Sequence, residues 1–239
     1  IFSTSVENMN KPDIGMNRDR QGGVFASRRT FIKSALALGA FLASEWMTPR
    51  SVFPACGLTP RETEGPFYPF RYPLDKNNDL TYVDTNPGKV QGEIIYVNGL
   101  VQDESCRSVP GALVEIWQAC STGRYNHPDD KNPAWLDPHF QYWGKSITNE
   151  RGEYGFKTIK PGSYPVNWFW TRPPHIHFKI RSRNHLELTT QMYFAGEPLN
   201  ENDRLLRDHP KEEQEKCIVT FHESDGKPSG QFNLALRKI

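Results

Sequence analysis

The tripeptide His175-Ile176-His177 sets two imidazoles two residues apart. On a β-strand side chains alternate, so both rings would leave one face with their bases about 7 Å apart. Ile176, Phe178 and Ile180 would then point the other way and anchor the strand in a core. Such a pair either shares a metal ion or forms a polar face of satisfied imidazoles. Arg172-Pro173-Pro174 precedes it and stiffens the approach, because proline fixes its own φ and restricts the residue before it. No cysteine pair and no H-E-x-x-H accompanies the histidines, so the common zinc sites have little support. Tyrosine stands nearby instead: Tyr125 in Gly123-Arg124-Tyr125-Asn126-His127 and Tyr164 in Pro161-Gly162-Ser163-Tyr164-Pro165. A lone tyrosine is ordinarily a core or rim aromatic.

Short strands must position these groups. Residues 93–101, 112–118, 154–159, 175–180, 189–194 and 217–221 are rich in β-branched and aromatic residues and are separated by Gly, Pro and Asn/Asp clusters. Val109-Pro110-Gly111 and Lys160-Pro161-Gly162 are turn signals, since proline presets φ and glycine accepts a positive one. The single helix expected is residues 200–215, polar and without a strong apolar stripe, hence a surface element whose charge run 211–216 is solvated. The pattern predicts an all-β fold, a β-sandwich with long loops and little helix.

Among 239 residues, 29 Lys+Arg nearly balance 28 Asp+Glu, which gives no electrostatic reason to expect nucleic acid as a partner. No apolar run reaches the roughly 18 residues of a membrane span, so no integral membrane domain is expected. Residues 1–57 differ from the rest. They hold 7 Lys+Arg and 4 Asp+Glu, a net +3, against 22 and 24, a net −2, in residues 58–239. Within them Ser27-Arg28-Arg29-Thr30-Phe31-Ile32-Lys33 precedes the small apolar run 35–43, the pattern of a twin-arginine export signal; a short core helix is the alternative. The chain therefore divides into an export signal and linker, 1–57, and a domain, 58–239, destined for the periplasm or the cell exterior. Met16 is a candidate start, and the cleavage point stays open. Cys56, Cys106, Cys120 and Cys217 allow three complete pairings, and export favours at least one bond.

Several motifs occur in a distinctive order: Thr63-Glu64-Gly65-Pro66-Phe67-Tyr68, Pro110-Gly111-Ala112-Leu113-Val114-Glu115-Ile116-Trp117-Gln118, Gly123-Arg124-Tyr125, Thr158-Ile159-Lys160-Pro161-Gly162-Ser163-Tyr164-Pro165 and Arg172-Pro173-Pro174-His175-Ile176-His177-Phe178. From residue 58 onward the chain resembles the intradiol ring-cleavage dioxygenases, most of all the iron-bearing β subunits of the protocatechuate-cleaving members. The resemblance implies a β-sandwich catalytic domain holding one non-haem Fe(III) per chain. It places Tyr125, Tyr164, His175 and His177 at the protein ligands, with Tyr164 and His177 axial. Arg172 and Gln191 fall beside the bound substrate. Tyr164 gains a second role as base for a catechol proton, and Arg172, always ionised, suits stabilisation of negative charge on the ring. The implied reaction cleaves a catechol-type aromatic, protocatechuate-like as the best single choice, with O2 to a cis,cis-muconate. The implied partners are the aromatic diol and O2; a lone chain, a homo-oligomer and a pairing with a second subunit stay open. The segment between Tyr164 and His175 is about two residues shorter than in those β subunits, so which of Val166, Asn167, Trp168 and Trp170 lines the pocket is open too. The family fold also resembles transthyretin-like modules, and the second reading is an exported metal-free β-sandwich that binds a ligand. The full set of four ligands with Arg172 and Gln191 favours the enzyme. Trp117, Trp135 and Trp143 are expected to pack, with Trp168 a candidate for the pocket wall. His127, His139, His185, His209 and His222 are expected to be surface or structural residues.

Overall fold

The structure is a computed structural model that describes residues 56–72 and 75–239. The twin-arginine motif and nearly all of the 1–57 segment lie outside the described residues. The described residues form twelve strands: β1 (Ile94–Asp103), β2 (Leu113–Trp117), β3 (Trp143–Ile147), β4 (Glu153–Ile159), β5 (Tyr164–Asn167), β6 (Trp170–Arg172), β7 (His175–Arg181), β8 (Leu188–Phe194), β9 (Ile218–Val219), β10 (Phe221–Ser224), β11 (Lys227–Gln231) and β12 (Leu234–Leu236). In one five-stranded sheet the long β1 pairs antiparallel with β4 on one side and, in succession, parallel with β11 and β12 on the other. The outermost strand of this sheet is β10, paired with β11. The second sheet has the order β3-β2-β7-β8-β9, and β5 with β6 forms a separate hairpin.

Period-2 alternation builds the core between the sheets. In β1, Ile95, Val97 and Val101 are buried while their neighbours are more open. In β7, Ile176, Phe178 and Ile180 are fully buried and join Val114, Ile116, Phe156 and Phe232 in one cluster. Burying each such side chain stabilises the fold by roughly 1.5–3 kcal/mol. The expected alternation of the His-Ile-His strand is therefore observed. Gly99 is required in β1, because a Cβ there would sit 2.0 Å from the Phe232 carbonyl oxygen.

Two expectations need correction. Residues 217–221 are not one strand: Cys217 ends a helix, β9 joins the second sheet, and the chain then crosses at Thr220 so that β10 joins the first. Residues 200–215 are not one helix. A 3-10 turn (Pro198–Asn202), α1 (Arg204–Arg207) and α2 (Lys211–Cys217) replace it. Asp203 is extended and caps α1, while Pro210 cannot supply an interior helix N–H and starts α2 instead. The polar face of α2 is exposed as expected, and Gln214 and Cys217 are its buried residues. No helix among the described residues is long and apolar enough to cross a membrane.

Residues 56–72 form a strap over the second sheet. The Glu62 N–H donates to the Thr189 carbonyl at 2.8 Å, and Thr59 N–H to that of Ala235 at 3.2 Å. A disulfide joins Cys56 to Cys106, leaving Cys120 and Cys217 as buried free thiols. Closing a loop of 50 residues limits the unfolded chain, so reduction should cost about 2–4 kcal/mol in chemical denaturation at fixed pH. An unchanged midpoint after reduction would show that the strap needs no tether.

Candidate active site

Neighbouring strands of the second sheet place the histidines. His175 lies opposite Tyr193 of β8, and His177 lies between Gln191 of β8 and Trp117 of β2. The Trp117 ring stacks on His177 with centroids 4.7 Å apart and planes 11° apart. The β5–β6 hairpin sets Tyr164 opposite Arg172, and Pro173-Pro174 then leads directly to His175. Tyr125 arrives from the loop after β2. That loop turns at Gly123, where φ is +81° and a Cβ would lie 2.2 Å from the Ser163 carbonyl oxygen. The turn thus seats the Tyr125 loop against the start of β5. Asp130 Oδ2 accepts the Tyr125 N–H at 2.6 Å and pins it there.

All four expected ligand residues meet in one place. Ring centroids are 5.0 Å apart for His175–His177 and 5.7 Å for both Tyr125–Tyr164 and Tyr164–His175. The Tyr125 Oη lies 3.4 Å from His175 Nε2. His175 Nδ1 donates to the Pro173 carbonyl at 2.7 Å, which leaves the Nε2 lone pair facing the other donors. His177 Nδ1 and Gln191 Oε1 are buried without a hydrogen-bond partner, although Gln191 Nε2 donates to the Thr63 carbonyl at 3.2 Å.

Burial, reinforced by the Arg172 cation, pushes both histidines well below the ordinary imidazole pKa and keeps them neutral, the form that ligates a metal. Burial pushes the Tyr125 phenol well above its ordinary value, with the Tyr164 phenol adding to it. Burial also raises Tyr164, against the opposing pull of Arg172. The protein alone therefore holds two neutral imidazoles and two protonated phenols together. A ferric ion fits this donor set, and its Lewis acidity would supply the missing stabilisation. No group of three or more His, Cys, Asp or Glu gathers among the described residues, as expected where half the donors are phenols.

The site opens into a cleft of about 600 Å³ bordered by Phe67, Tyr164, Val166, Trp170, Arg172 and His177. A larger, more open groove of about 1060 Å³ near Asn98, Thr220 and His222 holds none of these residues. The choice among the hairpin residues is settled: Val166 and Trp170 line the cleft, while Trp168 is 98% exposed at the hairpin tip and forms no wall. Gln191 is fully buried behind His177 rather than on the cleft surface. Trp117 and Trp143 are buried as expected, Trp135 is largely exposed, and His127 is buried between Phe67 and Phe70.

Residues without a distinctive sequence signal surround Arg172. Asp203 Oδ2 accepts from Arg172 Nε at 2.9 Å and Asp203 Oδ1 from Nη2 at 3.2 Å. Nη2 also donates to Tyr193 Oη at 2.9 Å, and the Tyr193 hydroxyl donates to Glu62 Oε2 at 2.9 Å. Burial raises the Glu62 carboxyl from 4.5 to about 7, against the pull of Tyr193 and Arg172. Its contribution to stability is complete below the ordinary carboxylate pKa and is lost as pH rises through about 7. The loss amounts to about 3 kcal/mol. In the metal-free protein, Glu62→Gln should flatten the fall in unfolding free energy between pH 5 and 8. A variant with the native pH slope would show that Glu62 titrates normally.

Residues 63–236 match the Dioxygenase_C family model, described as dioxygenase. The chain belongs to this family, whose relatives are oxidoreductases that cleave catechols by the intradiol route. It is 40% identical over 175 residues to the protocatechuate 3,4-dioxygenase beta chain of Burkholderia cepacia, covering 69% of this chain and 72% of that one. Catechol 1,2-dioxygenase 1 of Acinetobacter lwoffii is 31% identical over 156 residues, and the match spans 60% of this chain and 48% of that enzyme. A solved dioxygenase domain, from a dioxygenase carbohydrate-binding protein fusion of the cellulolytic Streptomyces sp. SirexAA-E, superimposes with a TM-score of 0.58 at 28% identity, covering 76% of this chain and 99% of that one. The intradiol ring-cleavage dioxygenase of Tetranychus urticae gives 0.60 at 25% identity, covering 76% and 95%.

Proposed function

We propose that this chain is an exported intradiol dioxygenase that binds one non-haem Fe(III) through Tyr125, Tyr164, His175 and His177. It would open a catechol-type ring, protocatechuate-like, with O2 to give a cis,cis-muconate. The observation that carries this reading is the convergence of two neutral imidazoles and two phenols at one end of a buried sheet. A ligand-binding module has no need of such a set.

Bound iron would supply the Lewis acidity that ionises the phenols and the incoming diol. The chain's own residues do the rest. Tyr164 is only half-buried and borders the cleft, so its Oη can take a proton from a catechol hydroxyl. Arg172 lines the same cleft beside His175 and can offset negative charge on the ring. Phe67, Val166 and Trp170 offer apolar contact to an aromatic substrate. The test is the visible spectrum of iron-replete protein, before and after anaerobic addition of catechol and of 3,4-dihydroxybenzoate. A red-brown tyrosinate-to-iron band that shifts with either compound supports the reading. A colourless iron-bound protein, or one that takes up no iron, refutes it.

Among the described residues, the cations lining the cleft are Arg172, which Asp203 engages, and the exposed Lys131, one N–H of which donates to the Pro128 carbonyl. Lys131 is therefore the group available to a substrate carboxylate. Lys131→Ala should raise KM for 3,4-dihydroxybenzoate about three- to fivefold, the scale of an exposed ion pair, and leave KM for catechol unchanged. Equal effects on both compounds would remove the carboxylate preference.

The Cys56–Cys106 bond supports an exported destination, since such bonds persist in oxidising compartments. Cell fractionation of the full chain against its Arg28→Lys/Arg29→Lys form tests that destination directly. The beta-chain designation of the Burkholderia relative supports assembly with further subunits.

A further inference from the structure

We propose that Asp203 is a positioning residue that aims the Arg172 guanidinium into the cleft, with Tyr193 and Glu62 completing the clamp; the catalytic part of this inference rests on the function proposed above. Arg172 is almost wholly buried and Asp203 wholly so. The Nε/Nη2 edge of the guanidinium is engaged by both oxygens of Asp203, and Nη2 is further engaged by Tyr193. Nη1 is left on the opposite side, 3.2 Å from His175 Nε2. A planar fork held along one edge cannot rotate, so the direction of Nη1, which meets His175 Nε2, is set.

Stability alone is a poor account of this arrangement. Asp203 pairs directly with the buried cation, Glu62 reaches it only through the Tyr193 hydroxyl, and an apolar isostere of a buried ion pair is often as stable or more so. A purely structural role is also available to Asp203, because its Oδ1 accepts the Leu206 N–H at 3.0 Å and caps α1. Asparagine caps a helix as well as aspartate does. The two roles therefore separate in one substitution: Asp203→Asn keeps the cap but loses the charge and one acceptor toward Arg172. The cap also ties the clamp to the cleft, since Leu205 of α1 lies on the cleft wall.

The first readout needs no iron. In metal-free, 15N-arginine-labelled protein, the Arg172 Nε–H should exchange slowly with water, and Asp203→Asn should speed that exchange at least tenfold under conditions where both proteins remain folded. The second uses iron-loaded protein with catechol. Asp203→Asn should lower kcat about 10- to 100-fold and change KM less than threefold, and in an Arg172→Met background it should have no further effect. Tyr193→Phe, which keeps the ring and removes only the hydroxyl, should speed the same exchange and lower kcat several-fold. Native exchange in both single variants, or a full additional loss of kcat in the Arg172→Met background, overturns the proposal. If the unaltered protein neither holds iron nor turns over catechol, the functional reading fails, while the exchange measurement still decides whether Asp203 holds Arg172.

Discussion

Tyr125→Phe should give a folded protein that holds iron at least ~10²-fold more weakly and has lost a comparable factor in turnover. Removing an outer-sphere partner of a ligand already costs about 10- to 100-fold, and loss of a donor atom costs more. The substitution is clean because the ring makes the packing and the hydroxyl makes the chemistry. The Tyr125 ring lies 4.7 Å from Phe67 and edge-on to Tyr164 at 5.7 Å, contacts that phenylalanine keeps. The hydroxyl faces His175 Nε2 at 3.4 Å, so its loss disturbs little of the metal-free fold. Unfolding free energy without metal should stay within about 1 kcal/mol of native, the scale of one hydrogen bond. Iron content per chain and the visible band measure the effect. Native iron content with a native band would remove Tyr125 from the ligand set.

Arg172→Met should lower kcat about 10²- to 10³-fold, the usual cost of losing a preorganised donor aimed at developing charge. It should also destabilise the fold. Asp203 and Glu62 would remain buried beside Tyr193 without their cation, and breaking one side of a buried pair costs about 3–5 kcal/mol. The sign of its pH dependence follows from Glu62, whose carboxyl burial already raises to about 7: as pH falls it takes up a proton and the penalty shrinks, so the variant should be closest to native stability in acid. Arg172→Lys retains the charge but cannot reproduce the two-atom fork to Asp203, and should fall between the two in both measurements. Steady-state kinetics and denaturation at pH 5 and 8 check the pair of expectations. A large kcat loss without destabilisation would mean the buried acids find another partner.

Much of the site was legible because its residues obey short-range rules. Strand alternation alone places His175 and His177 on one face and Ile176 and Phe178 on the other, as observed. Tyr125 and Tyr164 sit beside glycine-bearing turns that local sequence reveals. The clamp around Arg172 was not legible, since Asp203 lies 31 residues beyond it and Glu62 lies 131 residues before Tyr193. No local pattern marks such pairs. The hairpin misled for a different reason: its register shifts between Pro165 and Asn167, so Trp168 falls at the tip and Trp170 at the wall. In 217–221 a run of strand-forming residues concealed a crossing between sheets at Thr220, which β propensity alone does not reveal.

The strap bears on how the chain can be matured. Cys56 is its anchor, and within a few residues come Glu62 of the Arg172 clamp and Thr63, Gly65 and Phe67 of the cleft. A protease that trims anywhere ahead of Cys56 leaves the anchor and the cleft wall whole. A cut between Cys56 and Glu62 would strand the anchor on a separate fragment and release the wall at its root. Cys56 therefore sets the limit of N-terminal trimming that keeps the strap tethered to Cys106.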